Sequence, residues 1–248
     1  LFYHSGRNIA LTEYGVALQE ALTPVLKTLH QIPNQLQQLA QERETTIRLN
    51  VLAASTLVTQ ALISYKKDHD GLNFQLFQNS QCEDADITVF TRENFQIPAG
   101  NKDRYELFKE RIFLAVPHNS PYASEESVRL QDFAHEDFIS LSGSRSIRTI
   151  CDRYCMQAGF VPHIIYESDS PDTVKNLIAS GLGVGFWPHY TWGMDSMEQI
   201  RLLPIAEPTC QRAIILQLHR HARGQEAVCS FYAFLNRYLR QLKAAEQH

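Results

Sequence analysis

Three helix starts carry the residue types best suited to holding a small anion. Ser55-Thr56, Ser142-Gly143-Ser144 and Asp169-Ser170 each follow an apolar, strand-like run and open a helical pattern. The first turn of a helix has backbone N–H groups without partners and the positive end of the helix dipole, so hydroxyl-rich starts suit a carboxylate or phosphate. Arg145 or Arg148, just past the second start, could supply a cation to a carboxylate. The plainer structural reading is that these serines cap their helices, and one residue can do both. Phe186 and Trp187 end a strand near the same region, where they either line a cleft or fill the core.

Other candidate chemistry is weaker. "GLGVG" (181–185) has the glycines of a phosphate loop in the wrong order, after a helix and before a strand, so a helix stop with close backbone packing is the better reading. Cys151 and Cys155 are four apart on one helix, which suits a metal or a redox pair, but they fall on an apolar stripe and read as core. Cys82 lies beside Glu83 and Asp84, whose charges disfavour a reactive thiolate. His219 and His221 fall on one side of a strand and could hold a metal, or simply sit at a solvated strand end. HExxH and GxSxG are absent, and Ser, His and Asp are nowhere fixed together. The expectation is no enzyme, no cofactor and no metal.

The elements that must position these residues follow from periodicity. Strand-like runs fall at 47–53, 73–78, 85–90, 111–117, 137–141, 163–168, 184–188 and 212–221. Between them lie helical patterns: one after Ser55 as N-cap with Leu57, Ala61, Leu62 and Tyr65 inward and Gly71 as stop, one through Ile147, Ile150, Tyr154 and Ala158 to Gly159, and one opened by Pro171. The last helix turns Val228, Phe231, Leu235, Tyr238 and Leu242 inward. Alternating β and α elements imply parallel sheets with right-handed crossovers. The grammar occurs twice, which gives two α/β halves around a cleft, joined by strands near 111–117 and 212–218.

The chain of 248 residues is 44% apolar and 20% charged, long enough for one large domain or two small ones. No apolar run approaches the ~18 residues of a membrane span, so no membrane partner is expected. Five cysteines without a CxxC pair fit reduced thiols in the cytoplasm. Net charge is −4, and residues 1–50 balance four basic against four acidic groups. That is no nucleic-acid footprint, so this stretch alone should bind DNA poorly.

Ahead of the first strand, Leu18, Leu22, Val25, Leu29, Ile32, Leu36 and Leu39 are spaced 4, 3, 4, 3, 4, 3. That heptad seam points to a helix pairing with another helix, although packing on its own domain is the alternative. Pro24 and Pro33 predict a kink or break.

Three stretches resemble LysR-type transcriptional regulators. "LFYHSGRNIALTEYG" (1–15) resembles the family's wing and linker-helix start, with Leu1, Phe2, Arg7, Leu11, Thr12 and Gly15 matching and His4 standing where the family often has Arg. "IRLNVLAASTLVTQALISYKKDHDGLNFQLFQ" resembles the opening of the effector-binding domain, and "YESDSPDTVKNLIASGLGVGFWP" the signature helix and strand of its second half. The resemblance implies a periplasmic-binding-protein-like (type 2) fold of two Rossmann-like subdomains, preceded by a linker helix. It divides the chain into a wing remnant (1–12), a linker helix (13–45) and an effector-binding domain (46–248), with subdomain I about 46–116 and 213–248 and subdomain II about 117–212. A helix-turn-helix would stand before the wing, outside this stretch.

The same resemblance implies an effector site at the three helix starts and at Thr91-Arg92, the end of the third strand. The expected site is thus Ser55, Thr56, Thr91, Ser142, Ser144, Arg145, Asp169, Ser170 and Phe186, binding a small anionic metabolite. It also implies a homodimer or homotetramer through the linker helix, and DNA as partner of the full protein, with Arg7 a backbone contact. One departure stands out: "QNSQCED" leaves about seven residues where the family usually has a helix between the second and third strands. An extracytoplasmic solute-binding protein of similar fold is the alternative function, and the heptad and wing-like start argue against it.

Overall fold

A computed structural model of the chain describes residues 1–5, 8–78, 82–93, 103–143, 146–193 and 198–245, with only the backbone described for Ser5, 37–42 and 243–245. Residues 1–46 and 47–248 form two separate units.

In the first unit, β1 (Phe2–Ser5) pairs antiparallel with β2 (Asn8–Leu11), Phe2 opposite Leu11. Thr12 then caps α1 (Glu13–Thr45), its Oγ1 accepting from Gly15 N at 3.2 Å. A side chain at Gly15 would put Cβ 2.1 Å from Leu1 O, so the turn into the helix requires glycine. The 33 residues of α1 run through Pro24 and Pro33 without interruption. Of the expected kink or break, the break does not occur: each proline removes one i→i−4 bond, and the flanking turns carry the helix across. Leu18, Leu22, Val25, Leu29, Ile32 and Leu36 are 39–61% exposed, an apolar stripe open along the helix.

From Thr46, the last residue of the first unit, the chain enters β3 (Thr46–Val51), followed in the second unit by α2 (Ser55–Lys66), β4 (Asn73–Phe77) and β5 (Ile87–Arg92), the last parallel to β3. A long β6 (Arg104–Pro117) and short β7 (Val128–Arg129) lead to β8 (Asp137–Leu141), α3 (Ser146–Gln157), β9 (His163–Ser168) and α4 (Pro171–Ala179). Then come β10 (Gly185–Pro188), α5 (His189–Trp192), β11 (Ile200–Glu207), β12 (Gln211–Leu218) and α6 (Glu226–Ala245). The main sheet has the order β4-β3-β5-β12-β6-β11-β7 with β10 also on β6, and β8 and β9 pair parallel beside it.

Two cores share this scaffold. The first gathers Leu49, Val89, Ile214 and Phe108 under α2 and α6, where Tyr65, Phe231 and Phe74 make edge contacts. The second gathers Ile112, Phe138, Ile178, Trp187 and Cys210 under α3 and α4. Strand β6 passes from one core to the other between Phe108 and Ile112, and β12 between Cys210 and Ile214. Along β6, Ile112, Leu114 and Val116 all belong to the second core.

Other expected bounds shift for local reasons. The strand expected at 111–117 starts at Arg104, since its charged first half pairs with β12. The strand expected at 212–221 ends at Leu218, and a 3-10 turn at Arg220–Ala222 takes His221 off it. Helix α2 ends at Lys66, five residues before Gly71, which lies in the second of two successive turns. Strand β11 is hidden in the sequence by Pro204, which here pairs opposite Phe113. Between β4 and β5 the described residues form turns and bends, with no helix among them. No helix among the described residues is long and apolar enough to cross a membrane.

Candidate functional site

A cavity of about 390 Å³ opens where the two cores meet. The end of β3 and the start of α2 form one wall, through Val51–Ala54, Ser55 and Thr56, with Gln78 after β4 beside them. Leu141, Ser146 and Ile147 come from the end of β8 and the start of α3, and Asp169, Ser170 and Pro171 from the entry to α4. Lys175, Thr191, Trp192 and Arg212 complete the lining. Three helix N-termini thus converge on one space, each adding N–H groups and positive dipole.

The α2 start is built differently from its expected form. Ser55 is not the N-cap. Ala54 holds that position at φ 60° and ψ 34°, with no side-chain cap, and Ser55 is the first helical residue. An alanine in the left-handed region costs about 1–2 kcal/mol, and here it turns the chain sharply from β3 into the helix. The α2 start therefore presents its first N–H groups without a side chain folded over them. At α4 the expected arrangement holds: Ser170 Oγ accepts from Thr173 N at 3.4 Å, and Pro171 opens the helix.

Of the expected site residues, Ser55, Thr56, Asp169 and Ser170 line the cavity. Thr91 is buried behind the wall, where its Oγ1 bonds Ser146 Oγ at 2.7 Å and ties β5 to α3. Ser142 is not among the lining residues; its N donates to Ser168 O at 2.9 Å, linking the ends of β8 and β9 next to the lining residues Leu141 and Asp169. Ser144, Arg145 and Arg7 lie outside the described residues. Phe186 is not among the residues lining this cavity: it is 9% exposed, stacks on Phe138 at 5.9 Å and belongs to the second core, as does its neighbour Trp187. Arg148 is also unavailable, held by Asp152 at 2.7 Å and by Glu167.

The residues that sequence reasoning passed over are Lys175, Thr191, Trp192 and Arg212. Lys175 Nζ donates to Trp192 O at 3.0 Å and lies 5.4 Å from the Trp187 ring and 5.8 Å from that of Trp192. Arg212 Nε donates to Glu110 Oε2 at 2.6 Å, both side chains being buried. A charge at the head of an apolar, strand-like run, as in "RAIILQL", was the available signal for Arg212.

The weaker candidates resolve structurally. Gly181 at φ +79° ends α4, while a Cβ at Gly183 would meet Asp137 O at 2.6 Å and one at Gly185 would meet Ile139 O at 2.8 Å. Stop and close packing both apply. Cys151, Cys155 and Cys210 are buried together, and burial pushes the Cys155 and Cys210 thiols up to about 12. His219 Nε2 bonds Thr88 Oγ1 at 2.8 Å, and its Nδ1 is 3.6 Å from Asp103. Among the described residues no group of three or more His, Cys, Asp or Glu side chains is placed to hold a metal ion.

The LysR substrate binding domain model matches residues 40–240. The chain belongs to that family. As a LysR-type protein it is 27% identical over 222 residues to YybE of Bacillus subtilis (strain 168), named an HTH-type transcriptional regulator, with 86% of this chain and 75% of YybE covered. It is 24% identical over 255 residues to the transcriptional dual regulator GltC of the same organism, covering 98% and 84%. Among solved structures, the effector binding domain of QuiR in complex with shikimate superposes with a TM-score of 0.62 at 20% identity, over 79% of this chain and 97% of that one. That likeness is one of fold, and with the family match it makes the second unit a mixed α/β LysR effector-binding domain of the periplasmic-binding-protein-like type 2 class.

Proposed function

We propose that this LysR effector-binding domain senses a small anionic metabolite in the cavity between its lobes, and does so for a DNA-binding transcriptional regulator. The carrying observation is the convergence of the α2, α3 and α4 starts, with Lys175 and Arg212, on one space between two separate cores. Ser55, Thr56 and Ser170 would bind the anionic group, and the exposed Asp169 carboxylate would accept from a hydroxyl or amine elsewhere on the ligand. No reaction is assigned to the site: the relatives are transcriptional regulators, and the cavity residues bind rather than activate. Ligand closure of one lobe angle would shift the population of regulator states.

In this reading the open stripe from Leu18 to Leu36 on α1 pairs with a second copy, as dimer or tetramer. The β1–β2 hairpin belongs to the wing, Arg7 meets DNA phosphate, and the protein works in the cytoplasm where DNA is. A solute-binding protein would have no use for that stripe. The test is thermal melting across a metabolite panel, where a binder raises stability as RT ln(1 + [L]/Kd). Ser55→Ala and Ser170→Ala should each weaken the response. Unchanged affinity in both variants, or no stabilising compound at all, would overturn the assignment.

A further inference from the structure

Glu110 and Arg212 stand directly opposite one another on β6 and β12. On one side of the pair both strands feed the first core, through Phe108 and Ile214; on the other they feed the second, through Ile112 and Cys210. The two charges therefore sit at the point where both strands pass from lobe to lobe. Their side chains are 0% and 4% exposed, and they meet at 2.6 Å.

Thr191 closes a ring around them. Its N–H donates to Glu110 Oε1 at 2.7 Å, and its Oγ1 accepts from Arg212 Nη2 at 2.6 Å. The ring joins β6, β12 and α5, whose next residue, Trp192, forms part of the cavity wall. The arrangement is asymmetric: Arg212 lines the cavity and Glu110 does not. A buried ion pair is a poor source of stability compared with an apolar pair of the same size. Here it occupies the strand crossing between the two cores, and Arg212 is one of the residues lining the cavity. Glu110 and Thr191 also leave further guanidinium N–H donors for another acceptor.

We propose that Arg212 reads the ligand's oxyanion and that Glu110 is its built-in competitor, so that a bound carboxylate or phosphate draws the guanidinium partly from Glu110 and registers at the crossing of the two lobes. The proposal rests on the reading of the cavity as an anion site. It assigns Arg212 as the specificity-determining cation and Glu110 as a positioning residue acting through it. The opposing charge gives a sign that a merely structural pair would not. Removing the Glu110 charge leaves a buried cation seeking a partner, so anion affinity should rise even as the fold loses stability. Removing both charges should abolish the preference for anions.

The experiment is a melting titration with butyrate, benzoate, succinate, shikimate and inorganic phosphate. It compares the wild-type chain with Glu110→Gln, the double variant Glu110→Gln/Arg212→Gln, and Ser55→Ala. The expected result is a saturable rise for at least one probe. Glu110→Gln should bind it several-fold tighter, and the double variant at least about tenfold more weakly, as for loss of a charge-assisted hydrogen bond. A response to phosphate alone, in the same variant order, assigns the oxyanion as phosphate; a response to the organic acids assigns it as carboxylate. If a probe stabilises the wild type, Ser55→Ala weakens it, and Glu110→Gln and the double variant titrate like the wild type, the Arg212 role is overturned while the cavity reading stands. If no probe stabilises the wild type, the anion reading falls and the Arg212 role with it. Should the double variant not fold, wild-type or weaker affinity in Glu110→Gln alone is enough to refute the proposal.

Discussion

Replacing one member of the Glu110–Arg212 pair should cost far more stability than replacing both. Arg212→Gln leaves a carboxylate that is 0% exposed facing a neutral amide, and Glu110→Gln leaves a guanidinium that is 4% exposed without its counter-ion. Breaking a buried pair from either side costs about 3–5 kcal/mol, because the remaining charge keeps its desolvation penalty. The two single losses then sum to at least about 6 kcal/mol. In Glu110→Gln/Arg212→Gln no buried charge remains, and two neutral amides can still bond each other and Thr191, so the loss should be about 1–2 kcal/mol. The coupling of at least about 4 kcal/mol is in the range measured for close, buried charge pairs. Urea unfolding at neutral pH reads it directly: with a slope of about 2 kcal/mol per molar, each single variant should lower the midpoint by about 1.5–2.5 M. If the double variant loses the sum of the singles, or if each single loses less than about 1 kcal/mol, the ring at the crossing is not the coupled unit described here.

Further perturbations test other parts of the account. Gly185→Ala would place a Cβ 2.7 Å from Ile178 Cδ1 and 2.8 Å from Ile139 O, so it should cost about 1–3 kcal/mol in urea unfolding, while Gly71→Ala, with open space around it, should be close to neutral. Equal effects at the two glycines would contradict the close packing. Burial raises the thiols of Cys151, Cys155 and Cys210, the last two to about 12 from an ordinary 9.0. The unfolded chain ionises them from about pH 9, so their contribution is complete below that and falls as pH rises toward 12, by about 1.4 kcal/mol per unit for each thiol. Cys155→Ala should flatten the loss of stability between pH 9 and 11, and an unchanged slope would refute the burial argument. Leu22→Asp/Leu29→Asp on the open stripe of α1 should lower the oligomeric state in sedimentation without changing the melting of residues 47–248. Unchanged sedimentation would remove α1 from the interface.

Features set by neighbours in the chain were legible in the sequence. The Thr12 cap, the heptad seam, the helix stop at Gly181 and the Ser170-Pro171 start all depend on a few consecutive residues. Ser55 was displaced from its expected cap because a non-glycine residue took a left-handed conformation at Ala54, which composition does not announce. Phe186 was ambiguous because an aromatic at a strand end fits a cleft or a core equally well, and the packing of Phe138 against it comes from a distant part of the chain. The Arg212–Glu110 contact spans 102 residues, and only the register of two strands brings it together. Lys175 and Trp192 likewise meet across 17 residues, through the hydrogen bond of Lys175 Nζ to Trp192 O. The legible part of the site is thus its helix starts, and the hidden part is its cations.

The most direct test of the central claim is a crystal structure of the chain with whichever small anion raises its melting temperature most. The account predicts that molecule inside the interlobe cavity, its oxyanion within hydrogen-bond distance of Arg212 and of the Ser55-Thr56 start of α2. A stabilising anion bound elsewhere, with the cavity left to solvent, would contradict it.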